Sequence, residues 1–223
     1  MAKKNLIYRG FLYKTGFDIA YRADQSTGEP EIPGNLELLL NWGLMPILND
    51  ASELDIREAI DLMIPSGCSK SLIRVGSKAD GGYLVPNHLE GIDACFSPGV
   101  GGVTDFEDHL YEEWKIPSYL CDDSQDESKL SLNPVSKCFS KNRLGSLDFK
   151  GQMTLDTWVR KSQHCQSEDL LLQMDIEGSE YPSLLSTSDS ILKKFRIIVV
   201  EFHWLTQLGN RRFLNMNFNP VMK

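Results

Sequence analysis

The sequence predicts an α/β domain, a mostly parallel sheet with helices on both faces. Three observations predict it. Short apolar runs at 92–96, 117–121, 170–174 and 196–200 alternate with stretches of helical periodicity. The runs are mostly apolar at successive rather than alternate positions, as in strands buried on both faces. Four of them end at polar residues: Ser97-Pro98-Gly99, Asp122, Asp175-Ile176-Glu177 and Glu201-Phe202-His203. A doubly wound sheet binds its ligands beyond those carboxyl ends.

A chain of 223 residues suits one domain with an added N-terminal segment. We divide it into a helical or irregular segment, 1–65, and the α/β domain, 66–223. An apolar share of 41% supplies a substantial core. The formal charge of −8, with no basic run longer than a pair, argues against a nucleic-acid partner. Five scattered cysteines without a C-x-x-C pair read as reduced, cytoplasmic thiols. Arg9, Lys14 and Asp18 interrupt any signal-peptide core, and no apolar run reaches the roughly 18 residues of a membrane helix.

The elements follow in order. Leu6-Ile7-Tyr8 and Phe11-Leu12-Tyr13 suit a strand pair or a packed arm, and 23–35 a loop or linker. A helix can begin at Leu36 after Asn35, but Gly43 and Pro46 weaken it. Ser52 caps a clearer helix to Ile64, with Asp55 three residues on and Pro65 and Gly67 as the stop. Residues 72–76 and 80–85 read as two strands around a Gly81-Gly82 turn. That pair is either a hairpin alone or one that brings Asp80 or Tyr83 to a pocket mouth. After the strand at 92–96, Gly99, Gly101 and Gly102 allow a sharp turn and a close ligand approach. Thr104 and Glu107 have capping-box spacing, and Phe106, Leu110 and Trp114 share a helix face. Free N–H groups there suit a carboxylate; a tight turn without a ligand is the plainer alternative. Strands at 117–121 and 135–139, a helix from Thr154, a strand at 170–174, a helix over 181–193 and a β-branched buried strand at 196–200 complete the domain.

The site chemistry gathers at the strand ends. Asp122 can accept two hydrogen bonds from a ribose diol, or can simply close an Asp122-Asp123-Ser124 turn. A dinucleotide loop wants a third glycine where Thr104 stands, which disfavours an NAD-linked oxidoreductase. The edge carries Asp105, Glu107, Asp122, Asp175, Glu177, Glu180 and Glu201, which would repel a pyrophosphate and welcome a sulfonium. S-adenosylmethionine is therefore the expected cofactor.

Taken together, Gly99-Val100-Gly101-Gly102 with Phe106-Glu107, then Asp122, then Leu172-Gln173-Met174-Asp175-Ile176-Glu177-Gly178-Ser179-Glu180, then Val200-Glu201-Phe202-His203 resemble the FkbM-like S-adenosylmethionine-dependent methyltransferases. The D-x-E-G-x-E segment is the most specific part, and the resemblance covers about 70–205. It implies a Rossmann-like class I methyltransferase fold and methyl transfer, typically to a hydroxyl oxygen. Such domains usually add a final antiparallel strand pair, which 204–223 is too short and Asn-rich to supply. The C-terminal strands are thus expected to be truncated, in a fragment, a shortened variant or a protein completed by a partner. A homo-oligomer is left open.

Under this resemblance Gly99, Val100, Gly101 and Glu107 hold the methionine end of the cofactor and Asp122 its ribose. Asp175 sits near the methionine amine or the acceptor, and Glu177 orients substrate. His203 is the candidate base, because an imidazole titrates near neutrality. Its alternative is a hydrogen-bonded structural histidine. Glu180 reads as complementing a helix dipole. Asp175, Glu177 and His203 could instead hold Mg²⁺, though no spacing demands a metal. The expected acceptor is a small-molecule or sugar hydroxyl; a non-catalytic cofactor-binding or scaffold domain is the competing reading.

Overall fold

The computed structural model describes residues 7–11, 18–22, 46–64, 70–130 and 135–222. The chain divides into two compact units, residues 1–64 with 204–223, and residues 65–203. Residues 204–223, placed by sequence with the α/β domain, thus group with the N-terminal segment.

In the first unit, β1 (Ile7–Phe11), β2 (Asp18–Arg22) and β3 (Pro46–Asn49) form an antiparallel sheet of order β2-β1-β3. The helical or irregular character expected of 1–65 is corrected by this sheet. Pro46, read as weakening a helix, opens an edge strand, where a missing N–H need break no ladder. The loop at 23–35, the helix from Leu36, and Pro65 with Gly67 lie outside the described residues. Helix α1 (Glu53–Leu62) starts as Ser52 and Asp55 predict, with each side chain accepting from the other's backbone N–H. Residues 205–222 form a 3-10 turn (Leu205–Gly209) and then helical turns. They return to α1 through Arg211, whose backbone N–H donates to Asp50 at 2.8 Å and whose side chain reaches Asp55 at 3.2 Å.

The second unit begins with an antiparallel hairpin, β4 (Leu72–Gly76) and β5 (Gly82–Pro86). Next come β6 (Ala94–Pro98), α2 (Asp105–Trp114), β7 (Ser118–Cys121) and β8 (Lys137–Ser140). A short parallel pair follows, β9 (Arg143–Leu144) with β10 (Gln152–Met153), and then α3 (Leu155–Lys161). Strand β11 (Leu170–Met174), α4 (Glu180–Ser186), α5 (Asp189–Leu192) and β12 (Phe195–Val200) end the unit. Five strands pair in parallel in the order β12-β11-β6-β7-β8. The order reverses between β6 and β11, which creates the crevice where such sheets bind ligands.

Alternate residues of the central strands feed two cores. Ala94, Phe96, Leu170, Leu172 and Met174 pack with Leu155, Trp158 and Val159 of α3 and Ile191 of α5. Cys95, Leu171 and Ile197 pack on the other face with Val75 and Val85 of the hairpin and Phe106 and Leu110 of α2. Every residue of β6 and β11 is buried, which is why both read as predominantly apolar runs, with Ser97 and Gln173 as their buried polar members. Phe96 stacks on Tyr119 at 4.9 Å and meets Trp158 edge-on at 5.1 Å. The fold is the α/β, Rossmann-like arrangement expected, with the hairpin sharing one face with α2.

Two elements differ from expectation. The helix read over 181–193 is broken. Thr187 Oγ1 donates to the Ser183 carbonyl at the end of α4, and the Ser188 backbone N–H and hydroxyl turn to Asp156 at 2.9 and 2.6 Å. Strand β12 is only partly buried, with Ile198 43% exposed, because it is the sheet edge. Among the described residues no strand follows it.

At the amino-terminal end of the sheet, Arg196 sits where the β11–β12 register shifts. Its Nε donates to Asp169 at 2.7 Å, and Nη1 donates to the carbonyls of His88 and Glu90 at 3.1 and 2.9 Å.

Candidate active site

The loop after β6 is wedged between the ends of its neighbours. Gly99 N–H donates to the Cys121 carbonyl at 3.0 Å, and Asp175 N–H donates to the Pro98 carbonyl at 3.3 Å. A Cβ on Gly99 would lie 1.5 Å from the Asp175 carbonyl oxygen, and its φ is +86°. This glycine therefore lets two strand ends touch. Gly101 differs: its φ of +57° is left-handed, but a Cβ there would meet nothing within 4 Å. Its free side faces open space, as a cofactor loop requires.

Asp122 faces that loop, its Oδ2 accepting from Gly101 N–H at 3.4 Å. Its Oδ1 accepts from the backbone N–H and the hydroxyl of Ser124 at 2.8 and 2.6 Å. The residue thus closes a turn and also lines the crevice. A cavity of about 470 Å³ runs past Asp80, Gly99, Asp122, Arg143, Asp175 and Glu177. A smaller one, about 110 Å³, continues it between Tyr83, Gly99-Val100-Gly101, Glu107 and Asp175. A third of about 680 Å³, near Tyr119, Phe149 and Trp158, contains none of the convergent acids.

The capping box expected at Thr104 and Glu107 does not form. Thr104 makes no side-chain cap bond. Its hydroxyl instead donates to Asp108 at 3.0 Å and accepts from the buried Lys137 ammonium at 2.8 Å. Glu107 is drawn to the sheet, where the Ser97 hydroxyl lies between its carboxyl and the Gln173 side-chain oxygen, 2.6 Å from the latter. Burial pushes the Glu107 carboxyl up, against the lowering effect of Ser97 and the Lys137 charge. One hydroxyl proton cannot serve two acceptors, so a protonated Glu107 balances the trio.

Asp175, Glu177 and His203 are brought together. His203 Nε2 lies 3.8 Å from Asp175 Oδ1 and 3.6 Å from Glu177 Oε2. Its Nδ1 lies 2.9 Å from Glu180 Oε1. Glu180 is fully buried, and the same oxygen accepts from the backbone N–H groups of Ile176 and Gly178, both at 3.1 Å. A carboxylate on Nδ1 fixes the ring and leaves Nε2 toward Asp175 and Glu177. Burial alone would lower the His203 pKa; the Glu180 bond and the charges of Glu180, Glu177 and Asp175 outweigh it and raise it. Burial and the nearby Glu201 push the Asp175 carboxyl up, with the Tyr83 bond and His203 opposing. Glu177 reaches its position with φ +55°, a left-handed backbone rare for a non-glycine residue.

Of two further participants, Glu180 carried no site role in the sequence and Tyr83 was one of two alternatives at the hairpin. Glu180 does open α4, as a dipole-complementing residue would, but its partner is His203. Tyr83 settles the question posed by the hairpin, since its hydroxyl reaches Asp175 at 3.0 Å and Glu201 at 3.3 Å. Burial and both carboxylates push its phenol pKa far up, so the hydroxyl stays a donor. The Asp80/Tyr83 alternative was the available signal for Tyr83; nothing local signalled the Glu180–His203 bond.

Among the described residues no helix is long and apolar enough to cross a membrane. No curated protein and no solved structure matches the chain. A family model does: that of the methyltransferase FkbM domain, over residues 85–218, from β5 through the strand ends to the C-terminal helical turns. With a parallel sheet of matching type and the acids gathered at its switch point, the chain belongs to the FkbM methyltransferase domain family.

Proposed function

We propose that this methyltransferase uses S-adenosylmethionine to methylate a hydroxyl of a small molecule or sugar, in the cytoplasm. The observation that carries the reading is the groove at the β6/β11 switch point, lined by an open glycine and by Asp175 and Glu177, with an oriented imidazole beside those two acids. The residues suit the cofactor: Gly101 presents a face where a Cβ would meet nothing, and the bordering Asp80, Asp122 and Glu177 suit a cation. Gly99, Val100, Gly101 and Glu107 would border the methionine end, and Asp122 would take the ribose hydroxyls. When bound, the cofactor supplies a methyl group on a positively charged sulfur, open to attack by an oxygen nucleophile.

The chain's own residues do the rest. Asp175 and Glu177 flank the acceptor, and closeness and orientation supply much of such a rate enhancement. His203 takes the acceptor's proton at Nε2, and Glu180 holds the ring through Nδ1. The net charge of −8 supports a small-molecule acceptor over nucleic acid. The free thiols at Cys95, Cys121, Cys138 and Cys165 suit a reducing compartment.

Calorimetry with S-adenosylhomocysteine tests the cofactor. Wild type should bind it, and Asp122→Ala should weaken binding at least tenfold. His203→Ala should keep that affinity while losing methylation across a panel of sugar and small-molecule hydroxyls. No heat with wild type would remove the cofactor assignment, and undiminished methylation by His203→Ala would remove the base.

A further inference from the structure

We propose that Asp175, Glu177 and His203 form a binding site for a divalent cation of the kind that accepts mixed carboxylate and imidazole ligands. One oxygen or nitrogen from each residue lies within 4.8 Å of the others. A cation with ligands at about 2.1 Å puts adjacent ligand atoms about 3 Å apart and opposite ones about 4.2 Å apart. The 3.6 and 3.8 Å separations from His203 Nε2 fall between these limits.

Three further features, each independent of the spacing, point to the same place. Asp175 Oδ1 is buried without any hydrogen-bond partner, although the other oxygen of that carboxylate has Tyr83. A buried carboxylate oxygen left unmatched is costly, and a cation would satisfy it. His203 is set up as a ligand, because the buried Glu180 occupies Nδ1 and leaves Nε2 toward the two acids. Glu177 holds a left-handed backbone that brings its carboxylate to the cluster. Strain of that kind persists where the surroundings and the function demand it.

The charge balance agrees. The carboxylates of Asp175, Glu177 and Glu180 lie around one imidazole, and Glu201 adds its charge beside Asp175. Three protein ligands also leave positions for water or for an oxygen of the acceptor. Two carboxylates with one imidazole suit Mn²⁺, between the oxygen preference of Mg²⁺ and the nitrogen preference of Zn²⁺.

This inference rests on the methyltransferase reading and changes one part of it. A cation occupies the Nε2 lone pair, so His203 ligates when it is bound and accepts a proton only when it is not.

The test is a Mn²⁺ titration of the full chain, followed by loss of the free-ion electron paramagnetic resonance signal. Wild type should bind one ion. Glu177→Gln, at a side chain 81% exposed and outside the core, should weaken binding at least tenfold, as should His203→Ala. Glu180→Gln, acting through the ring it positions, should weaken it about ten- to a hundredfold. Competition by Mg²⁺ or Zn²⁺ then identifies the preferred ion. No Mn²⁺ binding by wild type, or equal binding by a Glu177→Gln protein of native circular dichroism, overturns the proposal. S-adenosylhomocysteine binding is measured on separate aliquots without Mn²⁺. A protein that binds the cofactor but takes up no Mn²⁺ defeats only the cation site; one that takes up Mn²⁺ but binds no cofactor defeats only the methyltransfer reading.

Discussion

The two ends of the five-stranded sheet treat charge in opposite ways. At the amino-terminal end two cations are each matched by an acid. Arg196 forks onto Asp169 and caps two loop carbonyls, and Lys194 pairs with Glu168. At the carboxyl end Asp175 and Glu177 crowd around His203, and Asp175 and Glu201 share the Tyr83 hydroxyl. The first arrangement is what stability alone favours. The second works against stability, since like charges repel and the Asp175 carboxyl is pushed up by its neighbours. Strands of the same apolar character emerge at both ends, so the difference lies in the residues placed just beyond them. Acid and base are balanced at one end, and carboxylates outnumber the single imidazole at the other.

Arg196→Ala should give the largest effect. It strips Asp169 of its partner and leaves two carbonyls without a donor. Because the pair is partly exposed, the cost should be about 2–3 kcal/mol rather than that of a fully buried pair. Urea denaturation measures it. Affinity for S-adenosylhomocysteine in the native baseline should stay within twofold of wild type. If the affinity collapses as well, the two ends are not separable and the comparison fails.

Glu107 lies at the carboxyl end but behaves as a structural group, and pH exposes this. Its folded-state pKa is raised by burial. The stability it contributes is therefore fully present below the ordinary carboxylate pKa and is lost as pH rises through the raised value. Glu107→Gln keeps a donor toward Ser97 and cannot ionise. The variant should therefore gain on wild type as pH rises above the carboxylate range, by roughly 1 kcal/mol near neutrality. Thermal midpoints from pH 4 to 8 would show two curves separating. Parallel curves would mean that Glu107 is not protonated in the fold.

The legible features share one physical origin. A parallel strand covered on both faces is mostly apolar, so β6 and β11 stand out in the sequence, and the glycine loop and the Asp175 that follow them stand out in turn. Gly99 and Gly101 were visible for the same reason, although the structure gives them different work. What could not be read depended on partners distant in the chain. Thr104 and Glu107 have the right spacing for a local cap, but Lys137 and Ser97 compete for them from other strands and win. The break between α4 and α5 depends on Asp156 in a separate helix. The sheet in the first unit pairs β1 with β3 across a long separation, with Pro46 as a misleading signal. His203 was found because it follows a strand end, whereas the Glu180 that orients it looked like an ordinary helix start.

The smallest expected effect is the sharpest test of the carboxyl end. Glu177 holds φ +55° and its side chain is 81% exposed, so its carboxylate contributes little to packing. A left-handed backbone costs a side-chain-bearing residue about 1–2 kcal/mol, and glycine adopts it freely. Part of that gain is offset by the greater freedom of glycine in the unfolded chain. Glu177→Gly should therefore raise stability by about 0.5–1 kcal/mol, read as a thermal midpoint about 1–4 °C higher. A structural residue would not improve the fold on removal. If the midpoint falls instead, Glu177 is part of the scaffold, and the strain at this turn belongs to the fold rather than to the site.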